Sequence, residues 1–182
     1  MDAATPQGLT LWRRLVRLAR HRWAEGRLRS AFPPDLLERL TRRVAASERR
    51  HTGQIRICIE AGLPLSYLWR DATARERAVT QFGKLRVWDT EGNNGVLVYL
   101  LLAEHAIEIV ADRGLARQVP PGTWQALVAA MGDAFRRGDY EDGLTQALSE
   151  VSALLARYFP SDGDGSHGNE LPDSPVLGRQ GG

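Results

Sequence analysis

The sequence predicts an α/β sandwich built on a small mixed sheet, with helices added at its N-terminus. Three observations predict it. The run Gln54 to Glu60 alternates, with Ile55, Ile57 and Ile59 on one side and Arg56, Cys58 and Glu60 on the other, as a strand does. The run Gly95 to Ala103 is apolar throughout, as a strand covered on both faces is. Between them lies a helical stretch long enough for a parallel crossover, and after them Ala106 to Ala111 alternates again behind a tight Glu104-His105 turn, which predicts an antiparallel hairpin partner.

Each element has its own signal. Leu11 to Leu28 reads as a basic amphipathic helix: Leu11, Leu15 and Leu18 step along one line and Trp12, Val16, Ala19 and Trp23 along the next. Ala31-Phe32-Pro33-Pro34 breaks it, because proline ends a helix and restricts the residue before it. Asp35 to Arg50 is a second helix with Leu37, Leu40 and Val44 inward, and its end charges suit the helix dipole. Leu63-Pro64-Leu65 reads as a loop. Asp71 to Trp88 is the crossover helix, with Ala72, Ala78/Val79, Phe82, Leu85 and Trp88 facing inward. After a loop at 119–123, with Thr123 as N-cap, Trp124 to Arg137 repeats Leu127, Val128, Met131 and Phe135 at helical spacing. Tyr140 to Phe159 is the last helix. The glycine-, proline- and acid-rich residues 160–182 cannot bury enough surface to offset their ordering entropy and read as a disordered tail. The division is thus 1–34 for a basic N-terminal extension, 35–159 for the α/β domain and 160–182 for the tail.

Composition narrows the function classes. With 182 residues and 43 % apolar content the chain has the means for one core. Its single cysteine, Cys58, excludes an intramolecular disulfide and reads as a small buried hydrophobe. No secretory leader and no run long enough to span a membrane is apparent, so a cytoplasmic location is the expectation. Charge is uneven: residues 1–51 carry 12 Lys/Arg against 5 Asp/Glu, the rest 12 against 17. A basic arm on a mildly acidic domain is expected.

The topology sorts the polar residues. If the two main strands are parallel, their starts share an edge with the end of the hairpin strand. His51, Asp89, Glu91, Asn93, Asn94, Asp112 and Arg113 then converge there, while Glu60, Glu104 and His105 belong to the opposite edge. Carboxylate and amide oxygens without thiolates suit a hard cation. The stretch 89–100 is not an EF-hand, since Asn94 stands where the loop requires glycine and Leu100 where it requires glutamate. The turn chemistry of Gly92-Asn93-Asn94-Gly95 is by itself a sufficient reason for those residues before a buried strand. Asp162-Gly163-Asp164-Gly165 fails the calcium-loop pattern in the same way and reads as linker.

Several stretches in order carry a family resemblance: TGQIRICIE, ARERAVTQFGKLRVWDTEGNNGVLVYLLLAEHAIEIVADRGL and FRRGDYEDGLTQALSEV. Over about residues 36–159 the chain resembles the TPM domain family. The most specific pieces are Asn93-Asn94-Gly95-Val96-Leu97, Arg113-Gly114-Leu115, and Phe135 followed by Gly138-Asp139-Tyr140 and Gly143-Leu144. The resemblance implies a Rossmann-like three-layer α/β/α sandwich with a small mixed sheet. It also implies acid-phosphatase activity in some members, binding of divalent cations such as calcium in loops at the sheet edge in others, and roles in membrane-protein maintenance or receptor assembly. Asp112-Arg113-Gly114-Leu115-Ala116 stands where many relatives carry Gly-Tyr-Gly-Leu-Glu, and Pro120-Pro121-Gly122-Thr123 where they carry Leu-Thr-Asp. Two acids are therefore missing, one of which Asp112 could replace.

Two functional readings follow. In the first, Ca2+ or Mg2+ is held by Asp89, Asn93, Asn94 and Asp112, in a structural or accessory role or in phosphatase chemistry. His51 or Asp89 would then be the acid or base and Arg113 the phosphate partner. No P-loop and no activated serine or cysteine accompanies them. In the second, the chain is a non-enzymatic adaptor. Its N-terminal helix, through Trp12, Arg13, Arg17, Arg20 and Trp23, docks on a protein partner or peripherally on an anionic membrane surface. Seven arginines between Arg13 and Arg29 could follow nucleic-acid phosphates, but no nucleic-acid-binding motif accompanies them, and that partner is not expected.

Overall fold

The computed structural model describes residues 11–161 and 168–178 of the chain. Helix α1 (Leu11–Ala31) is followed across Phe32-Pro33 by α2 (Pro34–Glu48). Pro34 can open α2 because the first helical N–H has no intrahelical bond to lose. Then come β1 (Ile55–Glu60), α3 (Leu65–Trp69), α4 (Ala74–Lys84), β2 (Val96–Leu101), a 3-10 turn over Leu102–Glu104 and β3 (Ala106–Ala111). The short α5 (Arg113–Ala116), then α6 (Pro121–Arg137), α7 (Tyr140–Tyr158) and β4 (Val176–Gly178) complete the order.

The strands lie in the order β3-β2-β1-β4. β1 and β2 are parallel, from Ile55 opposite Val96 to Glu60 opposite Leu101. β2 and β3 are antiparallel, with Val96 opposite Ala111, and His105 turns the chain between them at φ 48°. All of β2 is buried, as its unbroken apolar run requires. Ile55, Ile57, Ile59, Val98 and Leu100 share a core with Leu40 and Val44 of α2, Phe135 of α6, and Leu144, Val151 and Leu155 of α7. Cys58, Leu97 and Tyr99 on the opposite face pack with Leu68 of α3 and Ala74 and Ala78 of α4. Helices on both faces of a mixed sheet make the three-layer α/β/α sandwich.

The crossover departs from its predicted form. Residues 63–65 do not form a simple loop: Leu65 opens α3. Helix α4 begins only at Ala74, because Thr73 and Glu76 form a reciprocal capping box, and it ends at Lys84, beyond which Arg86 turns left-handed at φ 55°. Ala78 faces inward, but Val79 and Trp88 are half-exposed while Arg77 and Gln81 are buried. The cause is Glu60, buried on β1. Arg77 Nε and Nη2 donate to its two carboxylate oxygens at 2.8 and 2.6 Å, Gln81 Nε2 at 2.7 Å and the Tyr99 hydroxyl at 2.7 Å. A buried carboxylate dictates which face of α4 turns inward. On α2 the innermost line is Leu36, Leu40 and Val44, with Leu37 half-buried. Helix α6 starts at Pro121, so Thr123 lies inside its first turn and not at the cap.

The tail is the main correction. Within 160–182, Pro160 bridges His51, and residues 168–178 lie along the sheet and end in β4, parallel to β1 with Cys58 opposite Val176. Gln54 Oε1 accepts from the N–H groups of Glu170 and Leu171, both at 3.0 Å, and Leu171 is buried among the residues around Cys58. Polar composition did not exclude order here, because the segment borrows backbone partners from an otherwise open sheet edge. Asp162-Gly163-Asp164-Gly165 lies outside the described residues.

Candidate functional site

The loops at the N-terminal ends of β1 and β2 meet the end of β3. Gly95 O accepts from Asp112 N at 2.8 Å, and Asn93 O accepts from Gly114 N at 2.9 Å. Two glycines permit this approach. A Cβ on Gly95 would stand 2.0 Å from Val87 O, and one on Gly114 would stand 2.4 Å from Asn93 O. Asn93 takes the left-handed conformation, φ 49°, that asparagine tolerates, and its Oδ1 accepts from Arg113 Nε at 2.8 Å. Asn94 is buried; its N–H donates to Thr90 Oγ1 at 3.1 Å and its Nδ2 to Thr52 Oγ1 at 3.3 Å. Asp112 caps α5, its Oδ1 accepting from Arg113 N at 2.6 Å.

Three acceptor atoms of this edge are buried without a hydrogen-bond partner: Asn94 Oδ1, Asp112 Oδ2 and His51 Nε2. His51 Nδ1 lies 2.9 Å from Gly53 O, and since a carbonyl only accepts, the proton is on Nδ1 and Nε2 carries the lone pair. Burial pulls the His51 pKa down to about 4; the Gly53 carbonyl opposes the shift and Arg50 adds to it. His51 is therefore neutral at pH 7. An unsatisfied buried acceptor is uncommon and calls for a partner.

The other predicted members do not join. Asp89 is part-exposed and paired with Arg86. Glu91 is exposed, and its N–H donates to Glu170 Oε2 at 2.9 Å. Among the described residues no group of three or more His, Cys, Asp or Glu side chains is placed to hold a metal ion. The edge instead includes residues the sequence did not single out. Thr52 and Thr90 hold Asn94. Glu48 Oε1 accepts from Ile55 N at 2.8 Å. Burial pushes Glu48 up to about 7, the Ile55 bond opposes this, and Asp173 of the tail reinforces it. The position of Thr52 beside His51 was a readable signal; that of Asp173, far along the chain, was not.

The opposite edge is closed. Helix α1 lies across the carboxyl ends of β1 and β2, where Arg17 donates to Glu104 (Nε at 2.9 Å) and to Asp71 (Nη1 at 3.1 Å), and His21 Nε2 lies 3.1 Å from Glu104. Ligands of α/β folds commonly use this end of the sheet; here a helix covers it. His105 joins Phe135 O at 3.0 Å and stacks on Tyr140.

A family model described as the TPM domain matches residues 29–154. The chain belongs to the TPM domain family. This TPM domain has a solved structural neighbour, the NMR structure of BA42 protein from the psychrophilic bacterium Bizionia argentinensis sp. nov.. The two share a TM-score of 0.68 at 24 % identity, over 79 % of this chain and 93 % of the other, a likeness of fold. No curated protein matches the chain. The family match runs from the end of α1 to α7, so the Asn93–Gly95 and Asp112–Gly114 loops lie inside the TPM domain, while most of α1 and all of β4 lie outside it.

Proposed function

We propose that this TPM domain binds a divalent cation, Ca2+ or Mg2+, at the N-terminal edge of its sheet and serves a structural or accessory role. The observation that carries the reading is the pair of buried acceptor oxygens without donors, Asn94 Oδ1 and Asp112 Oδ2, on loops that touch through Gly95 and Asp112. Oxygen donors of this kind suit a hard cation, which would neutralise Asp112 and tie the two loops together. Because only one carboxylate contributes, the affinity expected is weak, on the order of 10⁻⁴ to 10⁻³ M. Hydrolysis of a phosphate ester has less support. The acid and base candidates His51 and Asp89 are respectively buried and paired away, and Arg113 Nε is engaged by Asn93.

Calorimetric titration and thermal shift with CaCl2 and MgCl2 test the proposal. Binding heat and a rise in Tm at millimolar cation are expected. Asp112→Asn keeps a side-chain oxygen for the α5 cap but removes the charge, and should abolish the shift. Asp89→Asn should leave it unchanged. Absence of both heat and shift for the unaltered chain sinks the reading.

A further inference from the structure

Helix α1 is mounted with its apolar stripe outward. The residues that face the domain are Arg17, Leu18, His21, Ala24 and Leu28, and the contacts are mixed: Ala24 and Leu28 pack on the main core and Leu18 on the second, Arg17 pairs with Asp71 and Glu104, and His21 Nδ1 accepts from Leu63 N at 2.9 Å. At 100° per residue the stripe of Trp12, Val16, Ala19 and Trp23 lies on the other side. All four are exposed, Trp12 by 74 % and Trp23 by 66 %. An amphipathic helix ordinarily buries its apolar stripe against its own core. This one sets a mixed face of Leu18, Ala24, Leu28, Arg17 and His21 on the domain and leaves a second apolar line open, about 16 Å from Trp12 to Trp23 at 1.5 Å per residue. Leu65 and Trp69 of α3, which packs beside α1, are also exposed, Trp69 by 85 %.

The charges around the stripe indicate what it meets. Leu11–Ala31 contains seven arginines and one acid, Glu25, which sits 3.4 Å from Arg22. Arg13, Arg20 and Arg27 flank the stripe on one side and Arg22 and Arg29 on the other, all exposed. Arg27 lies over the Trp23 ring, 4.6 Å from its centroid. A second copy of this face would set arginine against arginine. An apolar strip with tryptophans, bordered by cations, matches the boundary between acyl chains and anionic headgroups. We propose that α1 lies in the plane of an anionic lipid bilayer surface through its Trp12–Trp23 face, while its Arg17–His21 face holds the TPM domain beneath it.

The test is co-sedimentation of the full chain with vesicles of phosphatidylcholine alone or with about one third phosphatidylglycerol, with analytical ultracentrifugation in the absence of lipid. The chain should pellet with the anionic vesicles and not with the neutral ones, and high salt should release it. Each arginine removed from the rim, Arg13→Gln, Arg20→Gln or Arg27→Gln, should lower the partition coefficient roughly fivefold. Trp12→Ala with Trp23→Ala should abolish binding without lowering Tm, since both rings are exposed. Equal distribution between the two vesicle types, or wild-type binding by the double tryptophan variant, would overturn the proposal. So would a tryptophan-dependent dimer that ignores vesicles, or a monomer that does not bind them, as a protein-groove partner would require.

Discussion

Glu60 and Arg77 meet with 3 % and 5 % of their side chains exposed. Neither residue type belongs in a core alone, and together with Gln81 and Tyr99 they form a fully partnered network. Burial and the Glu60 charge push the Tyr99 hydroxyl pKa up, so it remains a donor. Removing one member leaves an uncompensated charge. Arg77→Met should therefore cost about 3–5 kcal/mol, read from urea unfolding, whereas Glu60→Leu with Arg77→Met should recover a large part. If the single variant unfolds like the unaltered chain, the network is not holding the sheet to α4. His51 gives a second residue-scale prediction. Its pKa is depressed from 6.5 to about 4, so the folded state resists a proton that the unfolded state accepts. Its contribution is complete above pH 6.5 and is lost as pH falls toward 4. His51→Gln should flatten the slope of the urea midpoint across that window; an unchanged slope would refute the assignment.

At the scale of elements, β4 shows what local pattern can and cannot reveal. The parallel pair, the hairpin and the two C-terminal helices were legible because each carries its own periodicity. β4 was not, because Val176–Gly178 is three residues long and its order comes from Gln54, Arg56 and the edge of β1. The same reason hid the inward face of α4, which Glu60 sets from another strand. In the candidate site, the turn residues Asn93 to Gly95 and the return of Asp112 were readable from topology. That Asp89 pairs with Arg86 and stays outside was not, since it depends on the left-handed turn at Arg86. β4 should also respond to pH. Glu48, raised from 4.5 to about 7, faces Asp173; Arg56 donates to Pro172 O and Ser174 O, and Asn169 donates to Asp173. A raised carboxyl contributes stability that is full below pH 4.5 and is lost as pH rises through about 7. Amides of β4 should exchange faster at pH 8 than at pH 6 after correction for the intrinsic rate, and Glu48→Gln should remove the difference. Equal protection at both values in the unaltered chain would count against it.

For the molecule as a whole, the question is what fixes α1 to the sandwich while its apolar face is open. Ala24 and Leu28 reach the main core and Leu18 the second one, and Arg17 and His21 add polar anchors to Asp71, Ala72 O and Leu63 N, with Glu104 the one group that holds both. Glu104, at the end of the 3-10 turn, accepts from Arg17 and from His21, and Gly62 lets the helix approach: a Cβ there would stand 2.9 Å from His21 O. Burial raises the Glu104 pKa, yet the hydrogen bonds from His21 and Arg17 outweigh it and hold the group below the ordinary value. The anchor is thus a charged one, with its contribution present above pH 4.5 and lost as pH falls further. Glu104→Gln keeps the shape and one acceptor oxygen but leaves Asp71 as the carboxylate partner of Arg17, beside its bond to Ala72 O. A loss of about 1.5–3 kcal/mol is expected from hydrogen bonds to a charged group. The loss should be local: amides of α1 should exchange faster in the variant, while those of β1 and β2, paired in the centre of the sheet, keep their protection. If instead the whole sheet loses protection together with α1, the helix is an integral part of the core, not a separately anchored arm. If α1 is unchanged, the apolar contacts of Leu18, Ala24 and Leu28 suffice to hold it, and the charged anchor has another use.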